Sequence, residues 1–154
     1  MQLDIRRLTG ADSDEHAERY WELMGQLTNM DGISAEMRSN YFSLSMDMGF
    51  WIFGAFDAGY LVGITSMHFL RHMKGSEARI EDVVVDVTYR RRGICRRLIM
   101  QAEGMIPRFS QMLMPWRIYK ITLAANPAAE EVYKKLGFKE HEREYRKDIT
   151  FAAV

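Results

Sequence analysis

A valine-rich run, Val83-Val84-Val85-Asp86-Val87, leads into Thr88-Tyr89-Arg90-Arg91-Arg92-Gly93-Ile94-Cys95-Arg96-Arg97-Leu98, so a β-branched strand breaks into a basic turn that opens a helix. Peptide N–H groups at a helix start have no intrahelical acceptor and lie at the positive end of the macrodipole, which makes the place a cradle for phosphate. Gly93 takes away the Cβ that would hold an anion off the backbone. Arg90, Arg91 and Arg92, with Arg96 and Arg97 behind them, add positive field suited to one small anion. Glu81 and Asp82 stand at the other end of the strand. A carboxylate beside apolar Val83 has its proton affinity raised by desolvation, which suits a general base. Strand alternation sends the two side chains to opposite faces, so without a bulge only one of them enters a given cleft. Glu81 is the preferred base and Asp82 the alternative, against a plain reading in which both pair with nearby arginines. Downstream, Asn126 can cap a helix that begins at Pro127. Tyr133 falls on that helix's apolar stripe, where spacing alone makes it a core tyrosine. His68 and His72 sit where strand runs into loop, so no metal site is expected.

Arg90-x-x-Gly93-x-Cys95 directly after a valine strand resembles the pyrophosphate-binding signature of the GNAT acetyltransferase superfamily. Asn126-Pro127-Ala128-Ala129-Glu130-Glu131-Val132-Tyr133-Lys134-Lys135-Leu136-Gly137-Phe138 resembles the segment that closes the same family's coenzyme site, in the expected order. The resemblance implies an α/β fold with a central, mostly antiparallel sheet flanked by about four helices, in one domain. It implies acetyl-coenzyme A as cosubstrate, no metal, and direct acetyl transfer to a primary amine. In that scheme the backbone of Val83, Val84 and Val85 binds the pantetheine arm and polarises the thioester. Arg90, Arg91, Arg92, Gly93, Ile94 and Cys95 hold the pyrophosphate, Asn126 contacts the coenzyme, and Tyr133 protonates the departing sulfur. Ile80-Glu81-Asp82-Val83-Val84-Val85-Asp86 and Tyr119-Lys120-Ile121-Thr122-Leu123 further resemble the glucosamine-6-phosphate acetyltransferase branch. There the Glu-Asp-Val segment touches the sugar, which makes Glu81 and Asp82 substrate contacts, and the enzyme is a homodimer. Departures are Cys95 where Gly or Ala is usual, Val87 in place of a proline, Ala124-Ala125, and a long Phe109 to Trp116 segment. They leave open another acceptor, such as an aminoglycoside, a polyamine, an amino acid or a protein amine, or a module that binds acyl-coenzyme A without turnover. Cys95 at a helix N-terminus is expected to have a lowered thiol pKa.

With 21 basic and 21 acidic residues in 154, the charges balance, so no nucleic-acid partner is indicated. A chain of 154 residues suits one domain, 1–154, with a core that needs no disulfide. The single cysteine excludes a disulfide framework or a multi-cysteine zinc site and fits a reducing, cytoplasmic compartment. Met1 to Arg7 lacks the apolar run of a signal peptide, and no segment has the length of a membrane span, so no membrane partner is expected.

The elements that must position these groups follow from apolar periodicity. Leu3, Ile5 and Leu8 predict a first strand, and Asp12 with Glu15 predicts the capping box of a helix striped by Ala17, Tyr20, Trp21, Met24 and Leu27. After Asp31-Gly32 a second helix is predicted to face the core with Met37, Tyr41, Leu44 and Met48. Phe50 to Phe56 and Tyr60 to Leu70 read as a hairpin, Arg71 to Ala78 as an exposed loop, and Arg79 to Val85 as the next strand. A helix from Gly93 is predicted to end near Pro107, followed by a flap over Phe109 to Trp116, a strand over Arg117 to Leu123, the Asn126-capped helix and a closing hairpin over Phe138 to Phe151.

Overall fold

The structure, a computed structural model, describes residues 3–112 and 117–141. Leu3 and Ile5, alternating with charged residues, form β1 (Leu3–Arg7). Helices α1 (Gly10–Gly25) and α2 (Ala35–Asp47) precede β2 (Trp51–Asp57), β3 (Tyr60–His72) and β4 (Gly75–Val85). A 3₁₀ turn (Val87–Tyr89) leads to α3 (Ile94–Met112). Strand β5 (Ile118–Leu123), a second 3₁₀ turn (Pro127–Ala129) and α4 (Glu130–Lys135) follow. The sheet order is β1-β2-β3-β4-β5, antiparallel throughout except for the parallel β4–β5 pair. This is the α/β plan expected from sequence. The closing hairpin lies outside the described residues beyond His141.

Helices cover both faces of the sheet, which is why β2 is apolar on both. On one face Tyr20 and Leu23 of α1 and Phe42 of α2 pack over Ile52, Leu61 and Ile64. On the other, Ile94, Leu98 and Ala102 of α3 and Tyr133 of α4 pack over Phe53, Val62, Met67 and Ile80. Fully burying each such aliphatic or aromatic side chain is worth about 1.5–3 kcal/mol, so the two layers lock α3 and α4 onto β3 and β4.

Four local expectations are corrected. The capping box of α1 begins at Thr9, whose N–H and hydroxyl both donate to Asp12 Oδ2 at 2.7 and 2.8 Å, while Arg6 holds Oδ1 at 2.7 Å. The predicted face of α2 points away from the core: Met37, Tyr41, Leu44 and Met48 are all exposed, and Phe42 is the residue fully buried, 4.7 Å from the Tyr20 ring. Apolar residues lie on both sides of α2, and Tyr20 of α1 selects the side with Phe42, while Trp21 of α1 meets the half-exposed Tyr41 ring at 5.5 Å. The loop predicted over 71–78 is mostly strand, with Ser76, Glu77 and Ala78 buried. Gly75 makes the bend at φ 146°, and a Cβ there would lie 2.7 Å from the Arg117 carbonyl oxygen. Burial pushes the Glu77 carboxyl up, but the Thr122 hydroxyl, Lys120 and His72 bind it and leave its pKa below the ordinary value. Finally, α3 continues through exposed Pro107, because Phe109 beyond it is buried against Trp51 and Phe69. That packing offsets the helical hydrogen bond the proline lacks. Residues 113–116 of the expected flap lie outside the described residues.

Candidate active site

Strands β4 and β5 pair only as far as Ile80 and Leu123. From Glu81 to Val85 the β5 side of β4 has no strand neighbour among the described residues, which opens a wedge along that backbone edge. On the β3 side the register slips between Ile64 and Ser66, which pair with Val84 and Glu81, so Asp82 and Val83 together oppose Thr65. This is a β-bulge, and Asp82 takes the left-handed conformation at φ 51°. The Thr65 hydroxyl donates to the Glu81 carbonyl at 3.1 Å, and the Ser66 hydroxyl donates to Asp82 Oδ2 at 2.9 Å, fixing both sides of the bulge.

The bulge cancels the alternation argument. Glu81 and Asp82 both line one cleft of about 180 Å³, together with Leu27, Ile80, Val83, Ala124, Asn126 and Tyr133. Their environments differ. Glu81 Oε1 accepts from Arg79 Nε at 2.8 Å, the arginine pairing that the plain reading allowed. The Asp82 carboxylate accepts from the Ser66 hydroxyl, and burial raises its pKa above the ordinary carboxylate value. Neighbouring Glu81 adds to that rise, while Ser66 and His68 oppose it.

Across the cleft, Tyr133 is buried in the α3–α4 layer. Burial, with a smaller contribution from Cys95, pushes its pKa up to about 12, so the hydroxyl keeps its proton at neutral pH. Tyr133 is thus both a core side chain and part of the cleft lining. Gly137 closes α4 at φ 90°, with the Gly137 and Phe138 N–H groups returning to the Lys134 and Tyr133 carbonyls. Asn126 Oδ1 accepts from the Ala128 N–H at 2.9 Å, so it caps the 3₁₀ turn and also lines the cleft.

At the far end of β4 the chain enters the basic turn. The Val85 carbonyl accepts from Arg90 Nε at 3.1 Å, and the Thr88 carbonyl accepts from Arg92 Nη2 at 3.2 Å. Arg90, Arg91, Arg92 and Gly93 are exposed. Positive φ at Arg91 (63°) and Gly93 (76°) curls the backbone toward an anion nest at the start of the 19-residue α3, and the space where a Cβ of Gly93 would stand is open. Val84 and Ile94 send their side chains into the core. Cys95 also packs inward, against the layer that holds Tyr133, so its side chain leaves the cradle clear. Burial pushes the Cys95 thiol up, contrary to the lowering expected from the helix N-terminus.

A larger cleft of about 280 Å³ lies between β1, α1 and the β2–β3 turn, lined by Asp4, Arg6, Glu15, His16, Phe56, Ala58 and Gly59. Its arginine is already spent on Asp12 and Asp4, and it adjoins neither the wedge nor the basic turn. Sequence reasoning missed Leu27 and Ala124 in the smaller cleft, and Ser66 beneath Asp82. Only the bulge brings Ser66 there, and no spacing signal announces it.

Residues 8–138 match the acetyltransferase (GNAT) family. The chain belongs to that family. This GNAT chain is 30% identical, over 97% of its own length and 97% of the relative's, to glucosamine 6-phosphate N-acetyltransferase of Trypanosoma brucei brucei. It superposes on an acetyltransferase of Trypanosoma brucei with 28% identity and a TM-score of 0.76, covering 96% of this chain and 100% of that one. The glucosamine-6-phosphate N-acetyltransferase of Arabidopsis thaliana has the same fold, with 20% identity, a TM-score of 0.79, and coverage of 97% and 100%. The protein is an N-acetyltransferase of the GNAT type, a family that uses acetyl-coenzyme A. Among the described residues no helix is long and apolar enough to cross a membrane.

Proposed function

We propose that this single-domain chain transfers an acetyl group from acetyl-coenzyme A directly to the primary amine of an amino-sugar phosphate, with glucosamine 6-phosphate as the first candidate. The observation that carries the reading is the wedge between β4 and β5, where carboxylates and a neutral tyrosine line one cleft at the end of an open strand edge. The family relative named for that acceptor, 30% identical along nearly the whole chain, supports the choice of amine.

The residues present fit the cosubstrate. The nest at Arg91 to Gly93 and the exposed arginines suit a diphosphate, and the edge at Val83 to Val85, which has no strand neighbour on its β5 side among the described residues, suits the amide groups of a pantetheine arm. The bound thioester supplies an activated acetyl group. An attacking amine must first lose its ammonium proton. Asp82 is the better base in this reading, ahead of Glu81, because Glu81 is engaged by Arg79 whereas Asp82 has a raised proton affinity. Glu81, with Asp82 beside it, is left to hold the acceptor. Tyr133 keeps its proton at neutral pH and delivers it from Oη to the departing sulfur. Asn126 steadies the coenzyme side of the cleft. No metal enters this scheme.

The test is thiol release from acetyl-coenzyme A against a panel of amines. Glucosamine 6-phosphate is expected to give the highest kcat/KM. Release only with aminoglycosides, polyamines or peptide amines would remove the sugar phosphate, and release with none would remove the catalytic reading.

A homodimer and a cytoplasmic location belong to the same proposal. Support for the dimer is the exposed apolar face of α2, Met37, Tyr41, Leu44 and Met48, a patch that a monomer would leave in water. Light scattering is expected to return twice the 18.0 kDa chain mass, and the mass of one chain would refute the dimer. The free thiol of Cys95 is compatible with a reducing compartment, and fluorescence localisation of the tagged protein would check it.

A further inference from the structure

Asp86, where β4 ends, is a buried acid a few residues ahead of the diphosphate turn, with a side chain only 9% exposed. Its Oδ1 accepts from the Thr88 N–H at 2.8 Å and from the Thr88 hydroxyl at 2.5 Å, which caps the 3₁₀ turn. Its Oδ2 faces α1 instead, accepting from Arg19 Nη2 at 2.5 Å and Gln26 Nε2 at 3.1 Å. Gln26 closes a second link, since its Oε1 accepts from the Val87 N–H at 2.9 Å. Arg19 is itself fixed by the Leu61 carbonyl at 3.0 Å, by Glu22 at 2.7 Å and by the face of Tyr60 at 4.6 Å. The nearby arginines of the turn each donate one hydrogen bond to a backbone carbonyl, Arg90 to Val85 and Arg92 to Thr88, and both stay exposed. The negative charge closest in sequence to the cradle is therefore neutralised from α1 and not by the cradle's own cations.

We infer that Arg19 and Gln26 are positioning residues for the diphosphate of the cosubstrate, holding Asp86 so that Arg90 and Arg92 stay available to the ligand. The inference rests on the coenzyme reading of the turn given above. An unpaired buried carboxylate seeks the nearest cation, and here those cations are the ones a diphosphate needs. Coulomb attraction between a freed Asp86 and Arg90 or Arg92 competes directly with the ligand. The same latch fixes the end of α1 next to Leu27, which lines the reaction cleft, so the turn and the cleft share one anchor.

The test is isothermal titration of the full chain with coenzyme A and, separately, with pantetheine, which lacks the diphosphate. Arg19→Gln is expected to weaken coenzyme A by about tenfold to a hundredfold while moving pantetheine by less than about twofold. Adding Asp86→Asn to Arg19→Gln is expected to restore most of the lost affinity, because the competing charge is gone. Arg19→Lys, which keeps the charge and removes the fork, is expected to stay within about fivefold of wild type and supplies the comparison if Arg19→Gln fails to fold. An equal loss for both ligands, or no recovery in the double variant, or Arg19→Lys as weak as the glutamine variant, would overturn the latch. A wild-type chain that binds pantetheine and coenzyme A equally well would overturn the reading of the turn itself, before any variant is compared.

Discussion

Tyr133→Phe is expected to lower kcat by about a hundredfold to ten-thousandfold, the range for removing a positioned general acid, while the Kd for coenzyme A stays within about twofold. The substitution deletes one hydroxyl and opens no cavity. The ring remains packed between α3 and α4, so the melting temperature should hold. Burial pushes the Tyr133 pKa further above neutrality, so the hydroxyl carries the proton that the proposed acid role requires. Parallel losses of binding and turnover would instead make Tyr133 a packing residue. A chain with no turnover in either form, but intact coenzyme binding, would point to an acyl-coenzyme A sensor.

Asp82→Asn is expected to cost a similar factor, about a hundredfold or more in kcat/KM, and to abolish the acid limb of the pH profile. The sign follows from the burial of the carboxyl. Its folded pKa lies above the ordinary value, so the base form appears only as pH rises through that raised value, and activity should rise with it. Stability runs the other way. A carboxyl whose folded pKa is raised favours the fold below its unfolded pKa and loses that contribution as pH climbs through the folded one. Asparagine imitates the protonated state at every pH and tolerates the left-handed backbone at φ 51°, so Asp82→Asn should melt at or above the wild-type temperature at pH 7. Unchanged turnover in Asp82→Asn, with a large loss in Glu81→Gln, would return the base to Glu81.

The basic turn and the Tyr133 helix are legible in the sequence because each is local. A valine strand, an Arg-x-x-Gly turn and a helix start are contiguous, and the backbone geometry at Gly93 follows from the residue type. The strands and helices around them were legible for the same reason. The parts that sequence missed depend on distant partners. Periodicity on α2 offered Met37, Tyr41, Leu44 and Met48 as a stripe, yet Tyr20 on α1 recruits Phe42 from the other side. The stretch from Arg71 to Ala78, with Lys74-Gly75-Ser76, reads as loop, yet Lys120, His72 and Thr122 bind the Glu77 carboxylate and make its burial in β4 tolerable. The bulge at Asp82 is a mismatch between two strands, so neither strand's own pattern contains it. The proposed preference for Asp82 over Glu81 rests on that mismatch and on Arg79, which holds Glu81.

Mass spectrometry of the complete reaction follows the acetyl group from thioester to amine. With acetyl-coenzyme A and glucosamine 6-phosphate, one acetylated amino-sugar phosphate is expected for each free coenzyme A, with no acetylated protein. Free coenzyme A without an acetylated amine, or an acetyl group retained on the chain, would contradict direct transfer across the β4–β5 cleft.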